Sequence, residues 1–249
     1  MIQGTMANFI KVAHRGSSGS YPENTRLAFE KAIEAGADMI EMDCQLSKDG
    51  HVVVFHDERL NRTAKVKGYV KGKTLKQLKK LDAGAWFKRS FKGEKILTLE
   101  EVLEIVAGKV ELNLDIKAVP KGPLGIEIKI LFILSHYDYL ERTILSSFDY
   151  HSLRRVRELA PDIRIGVLYG TEIKDNPFQV AREVNASSLH VQRELATPRF
   201  LEQAAQLGLK SFVWTVNEVK EMEKFLALGV NGLISDFPEK FWKIKQRKR

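Results

Sequence analysis

The stretch MIEMDCQLSKDGHVVVFHD, residues 39–57, determines how the rest of the chain is interpreted. It opens with an apolar run, contains the pair Asp49-Gly50, and closes with a second apolar run at Val52–Phe55. Asp-Gly between two apolar runs is a strong signal for a β-hairpin. A two-residue turn there would pair Asp43 with His56 on one face, whereas a slip of one residue would turn His56 to the opposite face. We therefore expect a strand that continues into a hairpin and returns His56 to the side of Asp43.

Seven further β-rich runs alternate with helical patterns along the chain. With Met39–Asp43, the predicted strands are Phe9–Ala13, Val110–Ile116, Thr143–Ser147, Arg164–Leu168, Ser187–Val191, Ser211–Thr215 and Gly232–Ser235. The predicted helices include Thr25–Ala35, Leu99–Val106, Ser152–Leu159, Pro198–Leu207 and Glu218–Leu228. Such alternation is typical of parallel strands joined by crossover helices. Eight strands, with no Gly-x-Gly-x-x-Gly turn, predict an α/β fold of the TIM-type (β/α)₈ barrel class rather than an open sheet.

The chain length suits a single barrel with one insertion. The 249 residues match the ~250 that such a barrel needs, and no linker divides them, so we expect one domain over residues 1–249. Residues 58–96, after the hairpin of strand 2, hold thirteen basic and three acidic side chains. This small basic insertion is expected on the same rim as the hairpin.

Composition and charge narrow the function classes. No apolar stretch approaches the ~20 residues of a membrane-spanning helix, no signal-peptide pattern opens the chain, and Cys44 is the only cysteine. A reduced, cytoplasmic enzyme is the interpretation that fits. The net charge is +8, and the last ten residues, 240–249, contain six basic and no acidic side chains. The tail and the insertion are either solvated faces or surfaces that attract an anionic substrate, membrane or nucleic acid.

Three carboxylates are predicted to converge at the barrel mouth, where strands end. Glu41 and Asp43 share one side of strand 2, and Asp115 lies on the next strand, two residues before Lys117. Carboxylates this close repel one another unless they are neutralised. Mg²⁺ or Ca²⁺ is the natural partner of such oxygen ligands. The alternative is that Arg15 and Lys117 neutralise them in an ion-pair network.

Two histidines are expected at the same rim. His14 and His56 each end an apolar strand, which suits one to protonate a leaving alcohol and the other to deprotonate the attacking oxygen. Arg15 has the donor geometry to hold phosphate oxygens. These residue types favour metal-assisted phosphoryl chemistry. No glycine-rich nucleotide loop or zinc-type cluster is present, which disfavours NTPases and zinc hydrolases.

Several spaced motifs resemble those of the glycerophosphodiester phosphodiesterase family. They are His14-Arg15-Gly16, Pro22-Glu23-Asn24-Thr25, Glu41-Met42-Asp43, Lys48-Asp49-Gly50, His56-Asp57, Asn113-Leu114-Asp115-Ile116-Lys117, Ser146-Ser147-Phe148-Asp149, Trp214-Thr215-Val216-Asn217 and Ser235-Asp236-Phe237-Pro238. The resemblance implies a TIM-type barrel that uses one divalent cation to hydrolyse a glycerophosphodiester to glycerol 3-phosphate and an alcohol. It also implies that residues 58–96 correspond to a small insertion over the active-site mouth.

The resemblance also implies residue roles. It makes His14 and His56 the acid/base pair, makes Glu41, Asp43 and Asp115 the metal ligands, and makes Arg15 and Lys117 phosphate contacts. Asp115 departs from the family pattern, which usually has glutamate there, and this leaves metal affinity and identity open.

Two aromatic residues and two polar residues carry less specific expectations. Phe148 and Trp214 either form an apolar lip for the substrate or are ordinary barrel-core aromatics. Asn24 or Thr25 is interpreted as a cap of the first helix.

Rival functions remain at this point. A lysophospholipase D-like enzyme could rest its basic surfaces on an anionic membrane through weak peripheral contact. A nucleic-acid-binding protein fits the sequence pI of about 9.4, but the basic segments contain few aromatics and match no nucleic-acid module, so we expect no nucleic-acid partner. The sequence does not indicate an oligomeric state.

Overall fold

Eight parallel strands close into a barrel in the computed structural model, which describes residues 9–117 and 125–244. The barrel strands are β1 (Ile10–His14), β2 (Met39–Leu46), β5 (Glu111–Ile116), β6 (Thr143–Ser147), β7 (Arg164–Tyr169), β8 (Ser188–Gln192), β9 (Lys210–Trp214) and β10 (Gly232–Ser235). Their order is β1-β10-β9-β8-β7-β6-β5-β2, and pairing of β1 with β2 closes the ring. The predicted TIM-type barrel is confirmed, and each predicted strand agrees with the structure to within a few residues.

Helices cross between the strands on the outside of the barrel. They are α1 (Arg26–Glu34), α2 (Leu75–Leu78), α3 (Leu99–Val106), α4 (Ile126–His136), α5 (Tyr150–Leu159), α6 (Pro177–Glu183), α7 (Pro198–Gln206) and α8 (Val219–Ala227). Side-chain caps fix several starts: Thr25, for example, accepts from the Ala28 amide, and Thr98 forms a capping box with Glu101. The five helices predicted from periodicity are present. The short α2 belongs to the insertion.

The hairpin forms, but its predicted register is wrong by one residue. Strand β3 (Val52–Val54) pairs antiparallel with β2, with Cys44 opposite Val54. Asp43 therefore faces Phe55, whose amide donates to the Asp43 carbonyl at 2.9 Å, and not His56 as predicted. The cause lies in Ser47, which accepts the His51 amide at 2.9 Å through its hydroxyl and closes the loop one residue earlier. The turn thus contains three residues, Lys48 to Gly50, rather than the two that the Asp-Gly pair predicts.

This register would place His56 on the face opposite Asp43 if the strand continued. The strand pairing ends with β3, however, and His56 lies beyond it. The buried side chain of Gln45 donates from Nε2 to three successive carbonyls, of Phe55 at 2.7 Å, His56 at 3.1 Å and Asp57 at 2.9 Å. Strand alternation no longer governs a segment that is turned and held in this way. His56 therefore lies near Asp43, close enough for each to shift the pKa of the other.

The insertion packs as a satellite of the hairpin. Its apolar side chains form a separate buried cluster with Val53 and Phe55 of the hairpin: Leu60, Ala64, Val70, Leu78, Ala83 and Ile96. The insertion returns through β4 (Leu97–Thr98), which pairs antiparallel with β3. It also touches the hairpin loop, where the Lys48 amide donates to the Lys73 carbonyl at 2.8 Å. The expected position, on the rim that carries the hairpin, agrees with these contacts.

Two apolar layers hold the barrel together. The larger lies between strands and helices and includes Phe29, Ile40, Met42, Leu112 and Leu114, all fully buried. A smaller one fills part of the barrel interior: Val12, Met39, Ile144, Phe212 and Ile234. Interior positions farther along β2 and β5 carry polar side chains instead, which places the chemistry at the carboxyl ends of these strands.

Within the described ranges, none of the helices has the length and apolar character needed to cross a membrane. The beginning of the basic tail docks on the barrel: a 3₁₀ turn at Pro238–Lys243 buries Phe241, and the Trp242 indole donates to the Ala35 carbonyl at 2.7 Å. Residues 245–249 of the tail lie outside the described residues.

Candidate active site

The register of three neighbouring strands brings the acidic side chains together. His14 at the end of β1 lies beside Glu41 of β2, and Asp43 lies beside Asp115 of β5. Glu41, Asp43 and Asp115 are all buried, with 6%, 1% and 4% of their surface exposed. One carboxylate oxygen from each lies within 4.8 Å of those from the other two. The structure thus places the three predicted carboxylates in one small volume.

The two predicted cations, Arg15 and Lys117, lie against this cluster. Lys117 contacts Asp43 Oδ1 at 3.0 Å and also pairs with Asp115, while Arg15 Nε lies 3.3 Å from Asp43 Oδ2. Burial alone would raise the pKa of Asp43, but Lys117 and Arg15 outweigh it and hold that pKa well below its usual range. These two cations therefore favour the ionised form of Asp43. The ion-pair network considered from the sequence is present, and it does not neutralise the whole cluster.

The negative charges of Glu41 and Asp115 are not fully compensated by neighbouring cations. Burial, with the neighbouring charge of Asp43, raises the pKa of Glu41 to about 7. Burial also raises the pKa of Asp115, although Lys117 opposes the rise, and Asp115 Oδ1 is buried with no hydrogen-bond partner among the described residues. The raised pKa values of Glu41 and Asp115 show that Lys117 and Arg15 do not fully compensate the acidic cluster, and Asp115 Oδ1 remains an unpaired acceptor. This donor set fits a hard divalent cation with oxygen ligands.

His14 lies on the barrel side of the cluster and is oriented by a carboxylate. Its Nδ1 lies 2.6 Å from Asp236 Oδ1, beyond the end of β10, and its Nε2 lies 3.8 Å from Glu41 Oε2. Because an ionised carboxylate can only accept, Nδ1 carries the proton and Nε2 faces the cluster. His14 and other donors lower the pKa of Asp236 to about 2, although burial opposes them.

His56 repeats this arrangement on the hairpin side. Its Nδ1 lies 2.6 Å from Asp57 Oδ1, so Nε2 is again the nitrogen available to a substrate. Burial lowers the pKa of His56, although the nearby Asp43 opposes the shift. A neutral imidazole at neutral pH is able to accept a proton.

The turn after β1 aims the backbone of Arg15 at the site. Arg15 adopts a left-handed conformation, with φ of 54°, and its amide donates to Glu41 Oε2 at 3.0 Å. Gly16 follows with φ of 81°, and a Cβ there would lie 2.7 Å from the carbonyl of Ala28 in α1. Only glycine fits this close approach of the turn to the helix.

Asn24 contributes to the site, whereas Thr25 alone caps α1. The Asn24 side chain, 4% exposed, donates from Nδ2 to Asp43 Oδ2 at 2.8 Å. The expectation that either residue serves only as a cap is correct for Thr25 and wrong for Asn24. Asn24 has a left-handed backbone conformation, with φ of 57°, and its side-chain amide points towards Asp43.

The two predicted aromatic residues meet at the mouth. Phe148 follows β6 and Trp214 ends β9, and their rings pack edge to face with centroids 5.8 Å apart. The Trp214 indole donates to the His190 carbonyl at 2.9 Å, and Lys117 Nζ lies 5.9 Å from the centre of the Phe148 ring. Both rings are half-buried, and the Phe148 ring lies next to Lys117 of the charged cluster. This placement fits an apolar lip.

Sequence reasoning did not assign the residues that orient the histidines. Asp57 and Asp236 stood in quoted motifs, His56-Asp57 and Ser235-Asp236-Phe237-Pro238. For His56 the adjacent carboxylate was an available signal, whereas Asp236 is 222 positions from His14 and meets it only in the closed barrel. Glu23 also stood in a motif. Glu23 contacts Arg15 at 3.0 Å and Arg62 at 2.7 Å, and no regular spacing in the sequence connects these three residues.

Comparison with known proteins agrees with this geometry. The model of the glycerophosphoryl diester phosphodiesterase family matches residues 14–240. A glycerophosphodiester phosphodiesterase of Caldanaerobacter subterraneus subsp. tengcongensis is 44% identical over 229 residues, covering 92% of this chain and 94% of that protein. One from Bacillus altitudinis is 37% identical over 244 residues, covering 94% and 97%.

Solved structures show the same fold. A phosphodiesterase of Oleispira antarctica, in complex with the product sn-glycerol-3-phosphate, superposes with a TM-score of 0.86 at 29% identity, covering 94% of this chain and 95% of that one. A glycerophosphodiester phosphodiesterase of Thermotoga maritima gives a TM-score of 0.76 at 31% identity, covering 95% and 98%. The chain is therefore a phosphodiesterase, and it belongs to the glycerophosphoryl diester phosphodiesterase family.

Proposed function

We propose that this enzyme hydrolyses glycerophosphodiesters to glycerol 3-phosphate and an alcohol with one divalent cation and a pair of histidines. The observation that carries the proposal is the buried cluster of Glu41, Asp43 and Asp115, with ligand oxygens within 4.8 Å of one another. His14 and His56 lie beside it, each held by a carboxylate through Nδ1.

The three carboxylates would hold Mg²⁺ or Ca²⁺. A bound cation of this kind supplies charge stabilisation at a phosphate oxygen. Arg15 and Lys117 are already fixed by Asp43, so their remaining donors are pre-oriented towards a phosphate at the same point. Phe148 and Trp214 form the apolar wall along which the glycerol or alcohol part lies.

The histidines divide the proton transfers. Both present Nε2 to the site, so one protonates the departing alcohol while the other removes the proton of the nucleophile. That nucleophile is water or a glycerol hydroxyl of the substrate, and the second route passes through a cyclic phosphate. Hydrolysis in ¹⁸O-water with trapping of a cyclic product separates the two routes.

Metal dependence is tested by removing and restoring the cation. We expect EDTA to abolish release of glycerol 3-phosphate from glycerophosphocholine, and Mg²⁺, Ca²⁺ or Mn²⁺ added singly to restore it. Titration of each ion also identifies the preferred one, and the same titration of D115E tests whether the shorter Asp115 weakens binding. Full activity after exhaustive chelation, confirmed by elemental analysis, would contradict the proposal. Activity on no glycerophosphodiester would remove it altogether.

A second candidate is hydrolysis of lysophospholipids at an anionic membrane. It is favoured by the outer face of α4, where Phe132 is 71% exposed and Ile128 is 57% exposed. Lys129 lies between them in sequence and reaches the hairpin loop, within 3.1 Å of the position that a Cβ on Gly50 would occupy. Basic and apolar groups side by side suit weak contact with anionic lipid.

Substrate comparison separates the two candidates. Greater turnover of lysophosphatidylcholine than of glycerophosphocholine, increased further by phosphatidylglycerol vesicles and lost in F132S, would favour the membrane candidate. Indifference to vesicles would leave the water-soluble diester as substrate. The cytoplasmic location stays a prediction, which cell fractionation tests.

A further inference from the structure

The insertion sends one side chain to the edge of the active site. The Arg62 guanidinium donates to both oxygens of Asp57, from Nε to Oδ2 at 2.7 Å and from Nη2 to Oδ1 at 3.0 Å. It also donates to both oxygens of Glu23, from Nη1 to Oε2 and from Nη2 to Oε1, each at 2.7 Å. One side chain thus joins two carboxylates that are 34 positions apart in the sequence.

Each of these carboxylates has a second partner in the site. Asp57 Oδ1 accepts from His56 Nδ1 at 2.6 Å, and Glu23 Oε1 accepts from Arg15 Nη1 at 3.0 Å. The result is a continuous chain of alternating groups, from Arg15 through Glu23, Arg62 and Asp57 to His56. Its two ends are the residues assigned above to phosphate contact and to proton transfer.

We propose that Arg62 is a positioning residue that orients His56 and Arg15 together by clamping Asp57 and Glu23 with one guanidinium. This rests on the proposed function, in which His56 and Arg15 act on the substrate. Arg62 takes no direct part in that chemistry, because its ion pairs are with Glu23 and Asp57 and not with the acidic cluster. It acts through its neighbours.

Charge explains why the clamp matters. Without a cation between them, Glu23 and Asp57 would repel each other across the gap that Arg62 now fills. Glu23 would then turn wholly to Arg15, and Asp57 would be free to rotate away from His56. The imidazole would lose the acceptor that fixes its tautomer, while Arg15 would shift towards Glu23 and away from Asp43.

The geometry requires arginine rather than any cation. Four hydrogen bonds to two carboxylates use the planar fork of the guanidinium, which the single ammonium of lysine cannot reproduce. The Trp86 ring lies 5.8 Å from Arg62 Cζ and is itself fixed by a hydrogen bond from its indole to the Ala83 carbonyl at 2.9 Å. The insertion therefore holds the guanidinium from the outside.

The backbone around His56 does not depend on Arg62. Gln45 holds the carbonyls of residues 55–57 by its own hydrogen bonds. The Arg62 side chain is 41% exposed and lies at the surface of the insertion, outside the buried core that holds the fold together. Variants at position 62 are therefore expected to fold and to lose side-chain orientation alone.

The test compares R62M and R62K with R59M under saturating metal. Arg59 belongs to the same insertion but packs over the Tyr69 ring, 4.8 Å from its centre, so R59M controls for loss of a basic side chain. We expect R62M to lower kcat/KM about 10- to 100-fold, the range typical of partners that orient functional groups. R62K should remain impaired because it keeps the charge without the fork. R59M should stay within about twofold of the wild type, the scatter of an ordinary surface change.

A double-mutant cycle separates positioning from a general loss of structure. In a D57N background, R62M should lower kcat little further, because the carboxylate that orients His56 is already lost. In an E23Q background, R62M should raise KM little further, because the carboxylate that orients Arg15 is already lost. Added guanidinium or ethylguanidinium should partly restore R62G and have no effect on R59G. Circular dichroism and thermal unfolding establish that each variant is folded.

Three results would overturn the proposal while leaving the phosphodiesterase function intact. They are R62M with more than half of wild-type kcat/KM, R62K indistinguishable from the wild type, or losses from R62M and D57N that multiply fully. If H56A were fully active, the proposed function itself would fail, and this separates the two claims.

Discussion

The two sides of the active site use the same histidine–carboxylate pair with different supports. On the barrel side, Asp236 is held by neutral donors, Ser18 Oγ at 3.0 Å and Asn217 Nδ2 at 2.6 Å. On the hairpin side, Asp57 is held by the charged Arg62. The barrel side thus depends on short hydrogen bonds between strand ends, and the hairpin side depends on ion pairs between distant segments. Hydrogen bonds from neighbouring strand ends thus hold Asp236 in place, whereas an ion pair from the insertion holds Asp57 in place.

The strongest test of the comparison removes each histidine. We expect H14A and H56A each to lower kcat on the order of 10²- to 10⁴-fold, the contribution typical of a general acid or base. Rates with glycerophosphocholine and with a p-nitrophenyl ester of glycerol phosphate identify the acid. Its loss should matter much less for p-nitrophenol, which leaves without protonation. Near-normal turnover of glycerophosphocholine by either variant would remove that histidine from the mechanism.

A smaller effect is expected from neutralising the carboxylates. In D236N, an amide NH₂ facing Asn217 would oppose another donor, so it turns towards His14 and forces the proton onto Nε2. In D57N the new amide meets Arg62 or His56, both donors. We expect each variant to lose about 10- to 100-fold in kcat. The salt dependence of kcat sharpens the contrast, because the exposed ion pairs around Arg62 are screened and the neutral donors around Asp236 are not. Equal salt dependence of wild type and R62M would contradict the distinction.

The smallest expected effect is on stability and concerns His190, a buried residue of strand β8 in the barrel. His190 is fully buried, within hydrogen-bond distance of Asn113 and Ser188, and burial lowers its pKa to about 3. An unfolded histidine has a pKa of about 6.5, so as pH falls below that value the unfolded state binds the proton first. Stability is full above pH 6.5 and declines towards pH 3. We expect the stability advantage of wild type over H190N to shrink by about 1.4 kcal/mol per pH unit between pH 6 and 4.

Urea unfolding at several pH values measures this advantage. H151N, at an exposed position, controls for replacing a surface histidine. A difference between wild type and H190N that stays constant with pH would show that His190 titrates in the folded protein as it does in the unfolded chain.

The fold was predictable because its signals are periodic. Apolar runs such as Thr143–Ser147 and Gly232–Ser235 mark the strands as they stand in the structure. Strand alternation also placed Glu41, Asp43 and Asp115 on facing positions, since carboxyl ends of parallel strands share a rim. These positions follow from local pattern alone.

What could not be predicted depends on side chains that break the pattern. The hairpin register was wrong because the Ser47 hydroxyl, and not the Asp-Gly pair alone, sets where the loop closes. His56 reaches the site because Gln45 bends the chain after β3. Arg62 meets Glu23 and Asp57 only in three dimensions. A single polar residue in such a role has no spacing by which it could be recognised.

Strand β2 has a consequence for how substrates are chosen. It runs without interruption from Met39 in the barrel to Leu46 in the hairpin, and the insertion returns through β4 onto the same hairpin. Within residues 39–57, one continuous strand and its hairpin join Glu41 and Asp43 to the insertion, so we expect this part of the entrance to act as a rigid frame. Selection among head groups then rests on the fixed outline of that frame. Grafting another insertion between residues 58 and 96 would redraw the outline without moving Glu41 or Asp43, provided that the graft keeps an arginine for Glu23 and Asp57.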